Sequence, residues 1–198
     1  DLKSPKAIYN YVVQTLKYDF SRVVDNKPRL GASNAINDPS SAVCLEFTDL
    51  FVAIARAAGI PAREVDGFAY TQNSKQRPLS LTKDILHAWP EYYDINKKTW
   101  IMVDPTWGNT TNGIDYFDVL DFDHFAFVIK GQNSEYPIPA GGYKFLENKD
   151  KKDIKVGFAT NVPSINPDIS LASDFGEVSI AGLPISGKLT LKNTGTAE

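Results

Sequence analysis

Ala42-Val43-Cys44-Leu45-Glu46-Phe47-Thr48-Asp49-Leu50-Phe51-Val52-Ala53-Ile54-Ala55-Arg56-Ala57-Ala58-Gly59-Ile60-Pro61 carries the strongest helix signal in the chain. Phe47, Leu50, Phe51, Ile54 and Ala57 or Ala58 recur at three- and four-residue spacing, the mark of a helix with one apolar face. Ser40 or Ser41 is the expected cap, Glu46 and Asp49 suit the positive end of the helix dipole, and Gly59 with Pro61 marks the stop. Cys44, the single cysteine, falls in the first turn of this helix. Backbone N–H groups at a helix start lack intrahelical partners and the dipole there is positive, so a thiolate is favoured over a thiol. The same N–H groups can stabilise an oxyanion when a carbonyl is attacked. The plain alternative is a buried structural cysteine.

Around this helix the sequence alternates between helical and strand patterns. Residues 5–18 read as a first helix, with Ser4 as N-cap, Pro5 at the first helical position, and Ile8, Val12 and Leu16 on one face. Residues 26–41 read as a long polar loop. Strands are expected over 63–70, 85–93, 100–104 and 125–129, with a polar excursion at 71–84.

A nucleophilic thiol needs a base, and the base needs something to orient it. His87 lies 43 residues after Cys44, and Asp104 lies 17 residues after His87. A two- or four-residue hairpin loop around Asn96-Lys97 pairs residues whose numbers sum to 193, which places Trp89 opposite Asp104 and His87 opposite Thr106. Paired residues point to one side, as do residues two apart, so His87, Trp89 and Asp104 would share a face. A three-residue loop would put Asp104 on the other side. Taken singly, His87 could be a satisfied core histidine and Asp104 a turn residue before Pro105. His124 is the rival base, but it follows Asp104 in the chain.

Ala42 to Arg63, Val65-Asp66-Gly67-Phe68, His87-Ala88-Trp89-Pro90-Glu91 and Trp100-Ile101-Met102-Val103-Asp104-Pro105-Thr106-Trp107-Gly108 resemble, in order and spacing, the transglutaminase-like superfamily in its bacterial and archaeal branch. Ala7-Ile8-Tyr9-Asn10-Tyr11-Val12 is similar to that family's first helix, so the likeness covers roughly residues 4–145. It implies an α+β, papain-like core in which the central helix packs on an antiparallel sheet. It also implies a catalytic triad of Cys44 as nucleophile, His87 as base and Asp104 as its orienting group, with acyl transfer through a thioester. Water as acceptor gives hydrolysis and an amine gives crosslinking. Hydrolysis of protein or peptide amides is the expected reaction, true transglutamination the first alternative, and a non-catalytic cell-surface binding module the alternative of another class. Trp89 is suggested as a wall of the acyl pocket, against the equally open reading that Trp89 and Trp107 fill core.

Composition narrows the rest. The 198 residues are 42% hydrophobic and 23% charged, with a net charge of −3. That is ordinary globular composition. It offers no basic excess for nucleic acid, and no apolar run long enough to span a membrane is present. One cysteine and two histidines leave no Cys-cluster zinc site and no intrachain disulfide. Asp115, Asp118, Asp121 and Asp123 could present oxygens to calcium, but the glycine and glutamate of an EF-hand loop are missing and a solvated face fits as well. No cofactor and no metal are therefore expected. Arg56 and Arg63 read as structural partners of carbonyls and acids. Asn34, Asn37 and Ser41 lie in the loop where a second oxyanion donor is sought, without singling one out.

The core domain is expected over 1–159. Residues 160–198, with Asn161, Pro163, Asn166 and Pro167 as linker, would open a β-sandwich module. The start at Asp1 suggests a mature or excised piece, and the alternation of Leu189 and Leu191 into Asn193-Thr194-Gly195 suggests that the natural chain continues. Such an extension points to an extracytoplasmic setting.

Overall fold

The computed structural model describes residues 2–24, 27–71, 73, 86–117, 123–133, 169–174 and 188–193. By backbone contacts the chain divides into two compact units, Asp1–Val156 and Gly157–Glu198.

The first unit is α+β. Helix α1, Pro5–Thr15, starts as its sequence dictates: the Ser4 hydroxyl accepts from the Ala7 N–H and Pro5 sits at the first position. It stops earlier than its periodicity suggests. Leu16 turns extended, and the Asn109 amide donates to the Val13 and Leu16 carbonyls at 2.9 and 3.0 Å. Those are carbonyls a helix end leaves without partners. Released from the helix, Tyr18 makes a parallel bridge to Ala42. The polar stretch that follows is not one loop. Helix α2, Phe20–Val24, precedes residues 26–41, and α3, Gly31–Asn37, forms within them. Gly31 enters α3 at φ +76°, a conformation that glycine adopts without strain.

Helix α4, Cys44–Ala57, is the centre of the unit. Neither Ser40 nor Ser41 caps it. The N-cap is Val43, whose side chain accepts nothing. Instead Glu46 reaches back: its Oε2 accepts from Val43 N at 2.9 Å and its Oε1 from Leu30 N at 2.8 Å. The Arg22 guanidinium lies 3.7 Å from this fully buried carboxylate. One glutamate thus fixes the turn that presents Cys44 and ties it to the start of α3. Glu46→Ala should lose about 3 kcal/mol of stability in urea unfolding, because the Leu30 and Val43 N–H groups both lose their acceptor and the buried Arg22 loses its charge partner. The far end closes as the sequence requires. Gly59 adopts φ +79°, Gly59 N donates to Arg56 O at 3.0 Å, and Ile60 N donates to Ala55 O at 2.9 Å. That is the Schellman arrangement.

Four antiparallel strands follow: β1 Ala62–Ala69, β2 Leu86–Asp94, β3 Thr99–Met102 and β4 His124–Ile129, in the sheet order β3-β2-β1-β4. A four-residue turn, 95–98, joins β2 and β3, with the Asp94 carboxylate accepting from Asn96 N and Lys97 N. Every β2–β3 pair, from Asp94 with Thr99 to Glu91 with Met102, has numbers summing to 193. Helix α4 packs on β2 and β1, and α1, α3 and the short α5, Pro105–Thr110, pack on α4. Ile8, Val12, Leu16, Phe47, Leu50, Phe51, Tyr92 and Trp107 form the core between them.

Arg29 donates to Asp49 on α4 at 2.7 Å and to Glu64 on β1 at 3.2 Å, and Lys130 lies 2.8 Å from Asp66, so helix and sheet are also joined by buried charge. Arg56 and Arg63 are structural. The first donates to the Ala62 and Gly131 carbonyls, the second to Glu91 while lying over Trp100.

In the second unit the described residues form a hairpin-like pair, β5 Ile169–Asp174 and β6 Lys188–Asn193, antiparallel to each other. The expected linker residues lie outside the described residues.

Candidate active site

His87 stands one residue into β2, and Gly67 of β1 pairs with it. Asp104 follows β3 after Val103, whose N–H donates to Pro90 O at 3.1 Å and so prolongs the hairpin register by one step. In that register Asp104 comes beside the β2 strand, and its Oδ2 meets His87 Nε2 at 2.8 Å. Both residues are buried, 3% and 2% exposed.

Asp104 has a second duty that strand reasoning misses. It is the N-cap of α5, and its Oδ1 accepts from Trp107 N at 2.9 Å. Its own N–H donates to Tyr116 O at 3.2 Å, while Tyr116 N donates to the Tyr9 hydroxyl at 2.8 Å. Asp-Pro at the head of a helix is a start signal in its own right, but six residues without an apolar stripe give no periodicity to notice. The carboxylate is therefore held from the backbone side by α5 and, through Tyr116, by α1.

Burial works against the charge of Asp104. The charge on His87 and hydrogen bonds from His124 and His87 outweigh that burial and hold the carboxyl well below the usual carboxylate range. An unfolded aspartate titrates near about 3.9, so the folded-state preference for the ionised form is fully present above that pH and is lost as pH falls below it. Asp104→Asn should flatten the acid limb of the pH–stability curve below about pH 4 relative to wild type, read by thermal melts across pH.

His124, at the head of β4 and paired with Ala69, also reaches this carboxylate: its Nε2 lies 3.0 Å from the same Oδ2. A carboxylate only accepts, so both imidazoles donate from Nε2. Sequence order alone gave no reason to bring His124 here. The signal available was strand position: Ala69, Gly67 and Val65 point to one side of β1 and pair with His124, His87 and Trp89 in their respective ladders. Trp89 and Trp107, each 1% exposed, pack against both histidine rings, with centroid separations from 4.6 to 6.0 Å.

His87, Asp104 and His124 also form a donor set of the kind that holds a transition metal, with ligand atoms within 4.8 Å of one another. The two Nε2–Oδ2 separations, 2.8 and 3.0 Å, are hydrogen-bond lengths. Tetrahedral zinc, with bonds of about 2.0 Å, holds its donors about 3.3 Å apart. The geometry is that of one carboxylate serving two imidazoles.

Cys44 is partly exposed at the start of α4, the helix that packs on β2. Among the other sequence candidates, the Asn34 amide donates to Leu30 O within α3. Asp115 bonds Lys6 and accepts from Phe117 N. Asp118 and Asp121 lie outside the described residues.

The family model for the transglutaminase-like superfamily matches residues 1–105, a segment that takes in Cys44, His87 and Asp104. The chain belongs to the transglutaminase-like superfamily. A protein-glutamine gamma-glutamyltransferase of Pseudomonas aeruginosa is 29% identical over 107 residues, covering 52% of this chain and 16% of that enzyme. Among solved structures, a proposed cysteine protease from Cytophaga hutchinsonii is 25% identical with a TM-score of 0.40, over 57% of this chain and 34% of that one. The periplasmic domain of TgpA from Pseudomonas aeruginosa is 24% identical with a TM-score of 0.36, over 56% of this chain and 41% of that one. The chain thus spans about a sixth of the curated relative and less than half of either solved superfamily neighbour.

Proposed function

We propose that this chain is a cysteine-dependent acyl-transfer enzyme acting on protein or peptide amides, with Cys44 as nucleophile, His87 as base and Asp104 as the group that orients it. The observation that carries the reading is the buried His87 Nε2–Asp104 Oδ2 hydrogen bond of 2.8 Å. With Nε2 committed as a donor to the carboxylate, Nδ1 is the nitrogen that takes the thiol proton. The thiolate attacks the amide carbonyl, and the backbone N–H groups at the start of α4 stabilise the oxyanion. The imidazolium returns its proton to the departing amine, leaving a thioester. Water, deprotonated by Nδ1, then attacks the thioester carbon, and the carboxylic acid leaves as the imidazolium returns that proton to the thiolate. Buried Trp89 backs the imidazole in this scheme instead of meeting the acyl group.

Hydrolysis is the outcome we propose first. Amine transfer is the second reading, favoured by the glutamyltransferase activity that names the Pseudomonas aeruginosa relative. We further propose an extracytoplasmic setting, in keeping with that solved periplasmic domain, and a core ending near residue 159 with a β-sandwich module after it. No helix among the described residues is long and apolar enough to cross a membrane.

The test is incubation with a peptide mixture and a fluorescent primary amine, read by mass spectrometry. Cleaved or deamidated peptides absent from a Cys44→Ala control are expected. Amine adducts in their place would establish the second reading. Equal product lists for wild type and Cys44→Ala would remove the enzyme reading and leave a binding module.

A further inference from the structure

The buried second histidine is left unused by the mechanism above. His124 meets no part of the thiol chemistry as proposed, yet its side chain is 2% exposed and bonded at 3.0 Å to the one oxygen that also holds His87. Burying a polar ring at such a position is costly unless it is satisfied, and here its partner is Asp104. Its ring lies edge-on to Trp89 at 5.1 Å and against Trp107 at 4.6 Å, so it has little room to turn. His87 lies against the same two indoles, and the two imidazole centroids are 5.8 Å apart.

We infer that His124 is a positioning residue for the His87–Asp104 pair: its Nε2–H fixes the shared carboxylate oxygen. The inference rests on the triad proposed above. The Oδ1 side of Asp104 is pinned by Trp107 N. His124 pins the Oδ2 side from another strand, so the carboxylate cannot swing away when His87 becomes charged.

The role divides cleanly between two substitutions. His124→Phe keeps the ring between the indoles and removes the N–H. His124→Gln removes the ring and places an amide N–H near the position of Nε2. The readout is the rate of Cys44 alkylation by iodoacetamide from pH 5 to 9, which needs no knowledge of the substrate, with thermal melts to show that each variant is folded. The expected result is a roughly tenfold slower alkylation at pH 6 in His124→Phe, the scale of one lost hydrogen bond to a charged group, and a rate within about threefold of wild type in His124→Gln. If His124→Phe does not fold, His124→Asn replaces it, since its amide is one bond too short to reach and the same loss is expected. A wild-type profile in the folded Phe or Asn variant would overturn the inference and leave the triad standing. So would a Gln variant as slow as Phe, since packing rather than donation would then be the role. A wild-type enzyme whose Cys44 titrates like a free thiol regardless of His87 would instead remove the triad itself.

Discussion

Asp104→Asn is expected to lower turnover by about 10³- to 10⁴-fold, the scale seen when an orienting aspartate is neutralised in a hydrolase triad, while the fold persists. The substitution is nearly isosteric, and the amide oxygen can still accept from Trp107 N, so the cap of α5 survives. The amide nitrogen then faces His87 and His124, both of which now donate to Oδ2. Two donors cannot face a third. His87 must turn its lone pair toward the amide, which puts the proton on Nδ1, where the thiol proton has to go. The base is therefore lost as a tautomer before it is lost as a charge. Steady-state kinetics on the best substrate, beside a thermal melt, separates this from unfolding. A variant retaining a tenth of wild-type turnover would show that Asp104 does not orient the base.

The largest effect on stability is expected at Gly67. A Cβ on this residue would overlap the Phe125 carbonyl of β4 and press on the Trp89 ring. The pairing of β1 with β4 shifts register between Asp66 and Gly67, so the backbones already meet irregularly there. Backbone cannot yield as a flexible side chain can. Gly67→Ala should therefore cost about 3 kcal/mol or more in denaturant unfolding, and it should loosen β4, the strand that carries His124. Gly131→Ala is the control. A Cβ there meets nothing within 4 Å, so a change within about 0.5 kcal/mol is expected. Equal stabilities for the two variants would contradict the close approach of β1 and β4.

Much of this architecture can be read before folding, because its signals are local. Phe47, Leu50, Phe51 and Ile54 report a helix by spacing alone, and Gly59 with Pro61 reports its end. The β2–β3 register follows from the even loop length, and that register brings His87 and Asp104 together. What escapes reading is held by distant partners. Glu46 takes over the cap that Ser40 or Ser41 would supply because Leu30 N and Val43 N both converge on it. Residues 31–37 carry the polar composition of a loop, and α3 forms where that distant Glu46 contact anchors its start. Helix α1 ends at Thr15 because Asn109 collects its last carbonyls. Asp104 reads as the end of a strand, although Pro105 after it makes an equally good helix start. His124 joins the site only through the order in which β1 gathers β2 and β4 on its two sides.

The proposed chemistry requires a thiolate at Cys44 sustained by His87. Its most direct test is the pH dependence of Cys44 alkylation by iodoacetamide in wild type and in His87→Ala. A half-maximal rate well below pH 8.5, the approximate value for a free thiol, is predicted for wild type, with a rise to that value in the variant. Half-maximal rates near 8.5 in both proteins would contradict it.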